Sequence, residues 1–201
     1  MYIQTQNMQR TLYFDVDGVL LDFTAGFADF WNAGIREGRW SGKPISSNPN
    51  SWSYSESRDE DDHHNMDMVM EIFHNTHDHL PLMHPDIPAI LKLLSQKFHI
   101  HLVSSYPHLE RRIRNLAVHD IPYHKLECDV HDKVTFIQTC EFTGHEVVAV
   151  FEDGPHHIEK MLPHFSGKIW APGHWNYLAD FRNREGVRMY DGPHDWLKLL
   201  E

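Results

Sequence analysis

The sequence has few cysteines, a shortage of basic residues and no long apolar segment. Only two cysteines, Cys128 and Cys140, occur among 201 residues, which excludes a disulfide framework and a Cys-x-x-Cys metal site. No apolar run approaches the roughly 18 residues that a membrane-spanning helix needs, and the polar segment from Met1 to Arg10 has no apolar signal core. These absences predict a protein of the reducing cytoplasm that does not enter a membrane.

Basic residues are outnumbered by acidic ones, 18 to 29, which gives a formal net charge of −11. Binding to a nucleic-acid polymer needs a basic face that displaces counterions, so the charge balance argues against that class of partner. A small anionic ligand would need local positive charge, which a bound divalent cation can supply. The chain length permits one main domain with a small insertion.

Strand-like and helix-like patterns alternate along the chain. Three buried strands, each followed directly by polar residues, are predicted at Thr11 to Phe14, His99 to Val103 and Glu146 to Phe151. Helical patterns are found at Ile87 to Gln96, Leu109 to Val118, Lys133 to Phe142 and His156 to Leu162. This alternation predicts an α/β protein with a three-layer, Rossmann-like parallel sheet, whose ligands bind beyond the carboxyl ends of the strands.

The stretch 23–84 interrupts this rhythm. It contains helical patterns at Phe23 to Gly34 and Asn65 to His74, and a loop rich in glycine and proline at Ser41 to Ser57. We therefore expect a small helical cap, 23–84, inserted after the first strand of a core formed by 1–22 and 85–201. The 18 histidines of the chain show no spacing that is diagnostic of zinc, which favours solvated or capping histidines.

Four polar elements follow in chain order at the predicted strand ends and helix starts. Asp15 and Asp17 stand two residues apart, a pattern that also occurs in calcium loops and sugar-transfer enzymes. Ser104 ends the second strand, where a hydroxyl and backbone amides can hold phosphate oxygens, and Lys133 opens a helix. Glu152-Asp153 ends the third strand and offers oxygen ligands for a hard cation. Together the four elements indicate phosphoryl chemistry.

The ordered set resembles the haloacid-dehalogenase-like phosphatase superfamily, and within it the 5′(3′)-deoxyribonucleotidases. The segments that carry the second resemblance are Asp15 to Phe23, Val103-Ser104-Ser105, His131-Asp132-Lys133, Phe151 to Pro155, Ala171 to Asn176 and His194 to Leu197. The chain departs from that family at Glu152, where the family has aspartate, at Gly154, where it has arginine, and at Tyr106, an additional residue.

The resemblance implies a two-step displacement with Mg²⁺ as cofactor. Asp15 would attack phosphorus, and Asp17 would protonate the leaving group and then activate water. The phosphate would be held by Ser104, Ser105 and Lys133. The implied metal ligands are Asp15, the backbone carbonyl of Asp17 and Glu152 or Asp153, and alignment favours Glu152. Phe23, Trp52 and Phe73 would enclose a nucleobase, although a tryptophan in a small cap can equally be a core residue.

Three functions remain open on the sequence. The first is hydrolysis of (deoxy)nucleoside monophosphates, and the second is the same chemistry on a sugar phosphate or another small organophosphate. The third is a non-catalytic binding module, which loss of Asp15, Asp17 or Lys133 would have indicated, yet all three are present. The expected partner is a small phosphate ester, and the protein could form a homodimer.

Overall fold

A computed structural model describes residues 8–52 and 63–201 of the chain, and side chains in the second range from residue 66. The strands are β1 (Gln9–Phe14), β2 (His99–Val103), β3 (Lys125–Glu127), β4 (His145–Phe151), β5 (Ile169–Pro172) and β6 (Val187–Tyr190). The α-helices are α1 (Phe23–Arg36), α2 (His63–Thr76), α3 (Ile87–Leu94), α4 (Leu109–Ala117), α5 (Lys133–Phe142) and α6 (Pro155–Phe165). Two 3-10 helices span Asn176–Phe181 and Pro193–Leu200.

All six strands form one parallel sheet with the order β3-β2-β1-β4-β5-β6. The chain runs outward from β1 to β3 on one side and then returns to β4 on the other. The order therefore reverses at β1, which is the position in open α/β sheets where a crevice for ligands forms. This topology confirms the predicted α/β fold and puts Asp15, which directly follows β1, at the crevice.

Alternate side chains of each strand enter different layers, because successive residues of a strand point to opposite faces. On one face Leu12 and Phe14 of β1 pack in a cluster with α3 and with Trp196 of the last 3-10 helix. On the other face Tyr13 packs in a cluster with residues of α5 and α6, including Ile137 and Ile158. Helices thus cover both faces, which gives the three layers expected from the sequence.

Helices α1 and α2 lie in the stretch predicted as a cap. Asp22 caps α1, because its Oδ1 accepts a 2.8 Å hydrogen bond from the Ala25 amide. Phe27 and Trp31 of α1 pack with Phe73 of α2 in the same buried cluster that contains β1. The described part of the predicted loop, 41–52, has no helix or strand, and residues 53–57 of that loop lie outside the described range. The division into core and cap stays a prediction.

Four histidines lie together near the amino ends of β2 and β4. The His99 ring stacks on His124 with centroids 4.8 Å apart and lies 5.6 Å from His145. His101 is only 1% exposed, and neither of its ring nitrogens has a hydrogen-bond partner among the described residues. Burial, helped by the charge of Lys125, lowers the pKa of His101 to about 3.

None of the described helices is long and apolar enough to span a membrane.

Candidate active site

The centre of the crevice is built around Lys133, the first residue of α5. Its Nζ lies 2.8 Å from Asp15 Oδ2 and 2.8 Å from Glu152 Oε2, and the side chain is 3% exposed. Burial alone would lower the pKa of Lys133, but the charges of Asp15 and Glu152 outweigh burial and raise it. The strand ends after β1 and β4 and the start of α5 therefore bring three predicted site residues into direct contact.

Glu152 uses both carboxylate oxygens inside the protein. Oε2 accepts from Lys133, and Oε1 accepts a 2.9 Å hydrogen bond from the backbone amide of Gly154. The Glu152 side chain is 1% exposed. Each oxygen of Glu152 therefore has one donor inside the protein, and its role as a direct metal ligand stays a prediction.

Asp153 faces the cavity from the next position of the chain. Its Oδ2 accepts a 2.7 Å hydrogen bond from the hydroxyl of Tyr177. Burial, together with the charge of Asp15, raises the pKa of Asp153 to about 8. The loop after β1 passes so close that a Cβ on Gly18 would lie 2.0 Å from Asp153 Oδ2, and Gly18 has φ +74°. Only a glycine fits this approach without displacing the carboxylate.

The residues at the centre fit a hard divalent cation. Oxygen atoms of Asp15, Glu152 and Asp153 lie within 4.8 Å of one another, and carboxylate oxygens are the ligands that Mg²⁺ prefers. The carboxylates of Glu152 and Asp153, which are buried, and of Asp15, which is 10% exposed, share one buried cation, Lys133, so the pocket has an excess of negative charge. Burial and, after it, the charge of Asp15 raise the pKa of Asp153, and a bound cation would oppose both effects.

Asp17 is paired with Arg112 of α4, a residue that the sequence motifs did not indicate. Arg112 Nη1 donates to Asp17 Oδ1 at 2.9 Å, and Nη2 donates to Oδ2. The Arg112 side chain is fully buried, and its guanidinium carbon lies 4.3 Å from the centroid of the Tyr106 ring. Burial raises the pKa of Asp17, against the opposing charge of Arg112. The pair fixes the Asp17 carboxylate at the edge of the cavity.

The two predicted phosphate-binding serines occupy different positions. Ser104 is 1% exposed, and its hydroxyl oxygen accepts a 3.1 Å hydrogen bond from the Tyr106 amide, which stabilises the turn after β2. Ser105 lines the cavity and donates a 3.0 Å hydrogen bond to the Val130 carbonyl. In this arrangement Ser105 has access to a ligand, whereas Ser104 supports the loop that presents it.

A cavity of about 380 Å³ opens over Asp15, Lys133 and Asp153. Part of its lining is apolar and aromatic and is formed by Phe23, Pro49, Trp52, Met70, Tyr106 and Pro107. Two of the three predicted substrate contacts, Phe23 and Trp52, are therefore at the cavity. A mostly apolar lining with a few polar groups is the usual composition of a small-molecule site.

Phe73, the third predicted contact, is not in the cavity wall. It is 1% exposed in the hydrophobic core between α1 and α2, where its ring lies 5.4 Å from Phe27 and 4.4 Å from the ring of His77. The pattern of α2 places Phe73 on the buried face of the helix, so packing determines its position. Tyr106 provides an aromatic wall that the sequence analysis did not assign.

Comparison with solved structures identifies the fold. No family model and no curated protein matches the sequence. A predicted phosphoglycolate phosphatase from Haemophilus somnus shares 14% identity at a TM-score of 0.64, over 96% of this chain and 98% of that chain. A protein assigned as a β-phosphoglucomutase from Bacteroides vulgatus shares 15% identity at a TM-score of 0.57, over 98% and 90%. A haloacid-dehalogenase family hydrolase from Deinococcus radiodurans, solved with phosphate and sodium, shares 14% identity at a TM-score of 0.61, over 97% and 96%. The chain has the haloacid-dehalogenase-like fold.

Proposed function

We propose that the protein is a phosphomonoesterase that transfers the phosphoryl group of a small organic phosphate to Asp15 and then to water. The observation that carries this proposal is the position of the Asp15 carboxylate. It lines an open cavity, 2.8 Å from the buried Lys133 ammonium and close to the carboxylate of Asp153. A carboxylate nucleophile needs such positive charge beside it, because the approaching phosphate is itself anionic.

Asp15, Asp17 and one water molecule account for every bond that forms or breaks in the proposed reaction. An Asp15 oxygen bonds to phosphorus as the ester P–O bond breaks, and the leaving alkoxide takes its proton from Asp17. Asp17 then removes a proton from water, which attacks phosphorus, releases phosphate and restores the Asp15 carboxylate. The pairing of both Asp17 oxygens with Arg112 fits the base form that this second step needs. Proton donation in the first step requires Asp17 to give up one of these hydrogen bonds.

We assign a Mg²⁺ site to Asp15, Asp153 and the backbone carbonyl of Asp17. Glu152 is assigned instead to holding Lys133, because its oxygens are already engaged by Lys133 and by the Gly154 amide. When bound, Mg²⁺ would reduce the repulsion between the anionic phosphate and the Asp15 carboxylate.

The substrate class is the open part of the proposal. Two of the relatives by fold are named for phosphoglycolate and phosphoglucose, which favours a small sugar phosphate or related organophosphate over a nucleotide. A (deoxy)nucleoside monophosphate remains the second candidate, because Phe23, Trp52 and Tyr106 give the cavity aromatic walls on which a planar base could stack.

A panel of phosphate esters tests both levels of the proposal. Sugar phosphates, phosphoglycolate, deoxynucleoside monophosphates and para-nitrophenyl phosphate would be assayed with Mg²⁺ and with EDTA. We expect activity only with Mg²⁺, and a loss greater than about 10³-fold in Asp15→Asn. The matched control is Asp29→Asn, an exposed position on α1 that should leave activity unchanged. Retention of more than about a tenth of the activity by Asp15→Asn would contradict the assignment.

A further inference from the structure

A second group of metal-ligand side chains lies apart from the candidate active site. His84 and Asp86 precede α3, and His194 lies in the last 3-10 helix, more than a hundred positions further along the chain. Asp86 Oδ2 lies 3.4 Å from His194 Nε2 and 3.7 Å from His84 Nδ1. The three potential ligand atoms lie within 4.8 Å of one another.

These distances match the separations between ligands of one metal ion. Imidazole nitrogen and carboxylate oxygen bind Zn²⁺ at roughly 2.0 to 2.2 Å, so two ligands of a tetrahedral site are about 3.3 to 3.6 Å apart. The two measured separations from Asp86 are close to this range. The imidazole rings are also nearly perpendicular, with an interplanar angle of 87° and centroids 5.7 Å apart, so they do not stack on each other.

The surroundings leave these ligand atoms accessible. The side chains of His84, Asp86 and His194 are 40%, 51% and 63% exposed, so an ion can enter from solvent and keep water in its remaining positions. In the part of the chain whose side chains are described, no lysine or arginine forms an ion pair with Asp86. His84 Nδ1 accepts a 3.2 Å hydrogen bond from the Asp86 amide, a long bond that coordination would replace.

We propose that His84, Asp86 and His194 form a surface site for a divalent transition metal of the Zn²⁺ class. Two imidazoles and one carboxylate suit Zn²⁺, Ni²⁺ or Cu²⁺, whereas Mg²⁺ prefers oxygen ligands. The ligand set therefore separates this site from the carboxylate cluster at Asp15.

Binding of a metal here would join two segments that are distant in the sequence. Helix α3 packs against the 3-10 helix Pro193–Leu200, and Trp196 of that helix is buried with Phe14 and Phe151 of the sheet. A metal ion bound by His194, His84 and Asp86 would link the first turn of this 3-10 helix to the segment that precedes α3. We therefore expect the ion to stabilise the folded chain, because it binds ligands that are close together only after folding.

Equilibrium dialysis of the full chain against Zn²⁺ tests the proposal. Excess Mg²⁺ is present throughout to compete at the Asp15 cluster. We expect one Zn²⁺ per chain, an affinity at least ten-fold lower in His84→Gln and in His194→Gln, and a rise of the melting temperature with Zn²⁺ that both variants lose. Co²⁺ should give a visible absorption band in the wild type that is absent from His194→Gln.

His131→Gln is the matched control. His131 also pairs with a carboxylate, 3.1 Å from Asp129 Oδ1, but among the described residues no third metal-ligand side chain lies close to this pair, so Zn²⁺ binding should be unchanged. Asp86→Asn provides a further variant that keeps the side-chain shape. Absence of Zn²⁺ binding in the wild type, or full binding in both histidine variants, would overturn the proposal. Neither outcome bears on the phosphatase assay, which tests Asp15.

Discussion

Replacement of Arg112 by methionine isolates the ion pair that holds Asp17. Methionine keeps much of the length of the side chain but removes the guanidinium, so Asp17 loses both of the hydrogen bonds that Arg112 donates. The side chain of Arg112 is fully buried, whereas the side chain of Asp17 is 27% exposed. The variant thus leaves a carboxylate that is only partly solvated and has lost its cation.

The expected loss of stability follows from this difference in exposure. Removing one partner of a buried ion pair costs about 3 to 5 kcal/mol. The residual exposure of Asp17 allows some solvation and reduces that cost, while loss of the contact between Arg112 and the Tyr106 ring, 4.3 Å away, adds to it. We expect a decrease of about 3 kcal/mol in the free energy of unfolding.

Urea denaturation of Arg112→Met, Asp17→Asn and the double variant would measure this coupling. The control is Arg111→Met, the neighbouring position on α4, where Arg111 pairs at 2.6 Å with Asp78, whose side chain is 48% exposed. The pair of Arg111 and Asp78 should contribute less than about 1 kcal/mol to the free energy of unfolding. Equal losses of stability in Arg112→Met and Arg111→Met would contradict a strongly stabilising pair of Arg112 with Asp17. The absence of coupling between these two residues in the double-variant cycle would contradict it as well.

Three further predictions use other contacts. Tyr177→Phe removes the hydrogen bond to Asp153 and should weaken Mg²⁺ binding, measured by calorimetry, by about 10-fold; unchanged affinity would contradict the Mg²⁺ site assigned to Asp153. His101 is neutral when folded, with a pKa of about 3, and takes up a proton more readily when unfolded. Stability should therefore fall by up to about 1.4 kcal/mol per pH unit below about pH 6.5, and a His101→Phe variant with the same urea–pH profile would refute this. Trp52→Ala should lower kcat/KM for a nucleotide by about 10-fold but change that for para-nitrophenyl phosphate less; equal losses would exclude base stacking on Trp52.

The α-helices and the longer strands could be predicted from the sequence, and the shortest strands could not. Helix α5 has the predicted bounds, Lys133–Phe142, and strand β2 has the predicted bounds, His99–Val103. Strands β3, β5 and β6 contain only three or four residues each, too few for an alternating pattern to stand out. Strands β3 and β6 form the two edges of the sheet and β5 lies between β4 and β6, and these positions depend on pairing with neighbouring strands.

Side-chain partners that come from elsewhere in the chain were harder to find. In the sequence of α4, Arg112 stands among three arginines, which favours a solvent-exposed helix face, yet it is buried beside Asp17. One signal was available, because Arg112 and Leu116 are four residues apart and therefore share one helix face. Tyr177 gave no such signal, since its contact with Asp153 depends on the chain course after β5.

Two departures from the deoxyribonucleotidase pattern, Glu152 and Gly154, are coupled by their geometry. The longer side chain of glutamate lets Oε1 accept from the Gly154 amide while Oε2 accepts from Lys133. A Cβ on Gly154 would lie 3.0 Å from the same Oε1 and 3.0 Å from a ring carbon of His157, so a larger residue would crowd both neighbours. The arginine of that family is therefore difficult to accommodate beside Glu152. In the proposed reaction the four motifs handle only phosphate, so a difference in charge beside them would act on the organic group, and we take it to favour the small organophosphate of our proposal over a nucleotide.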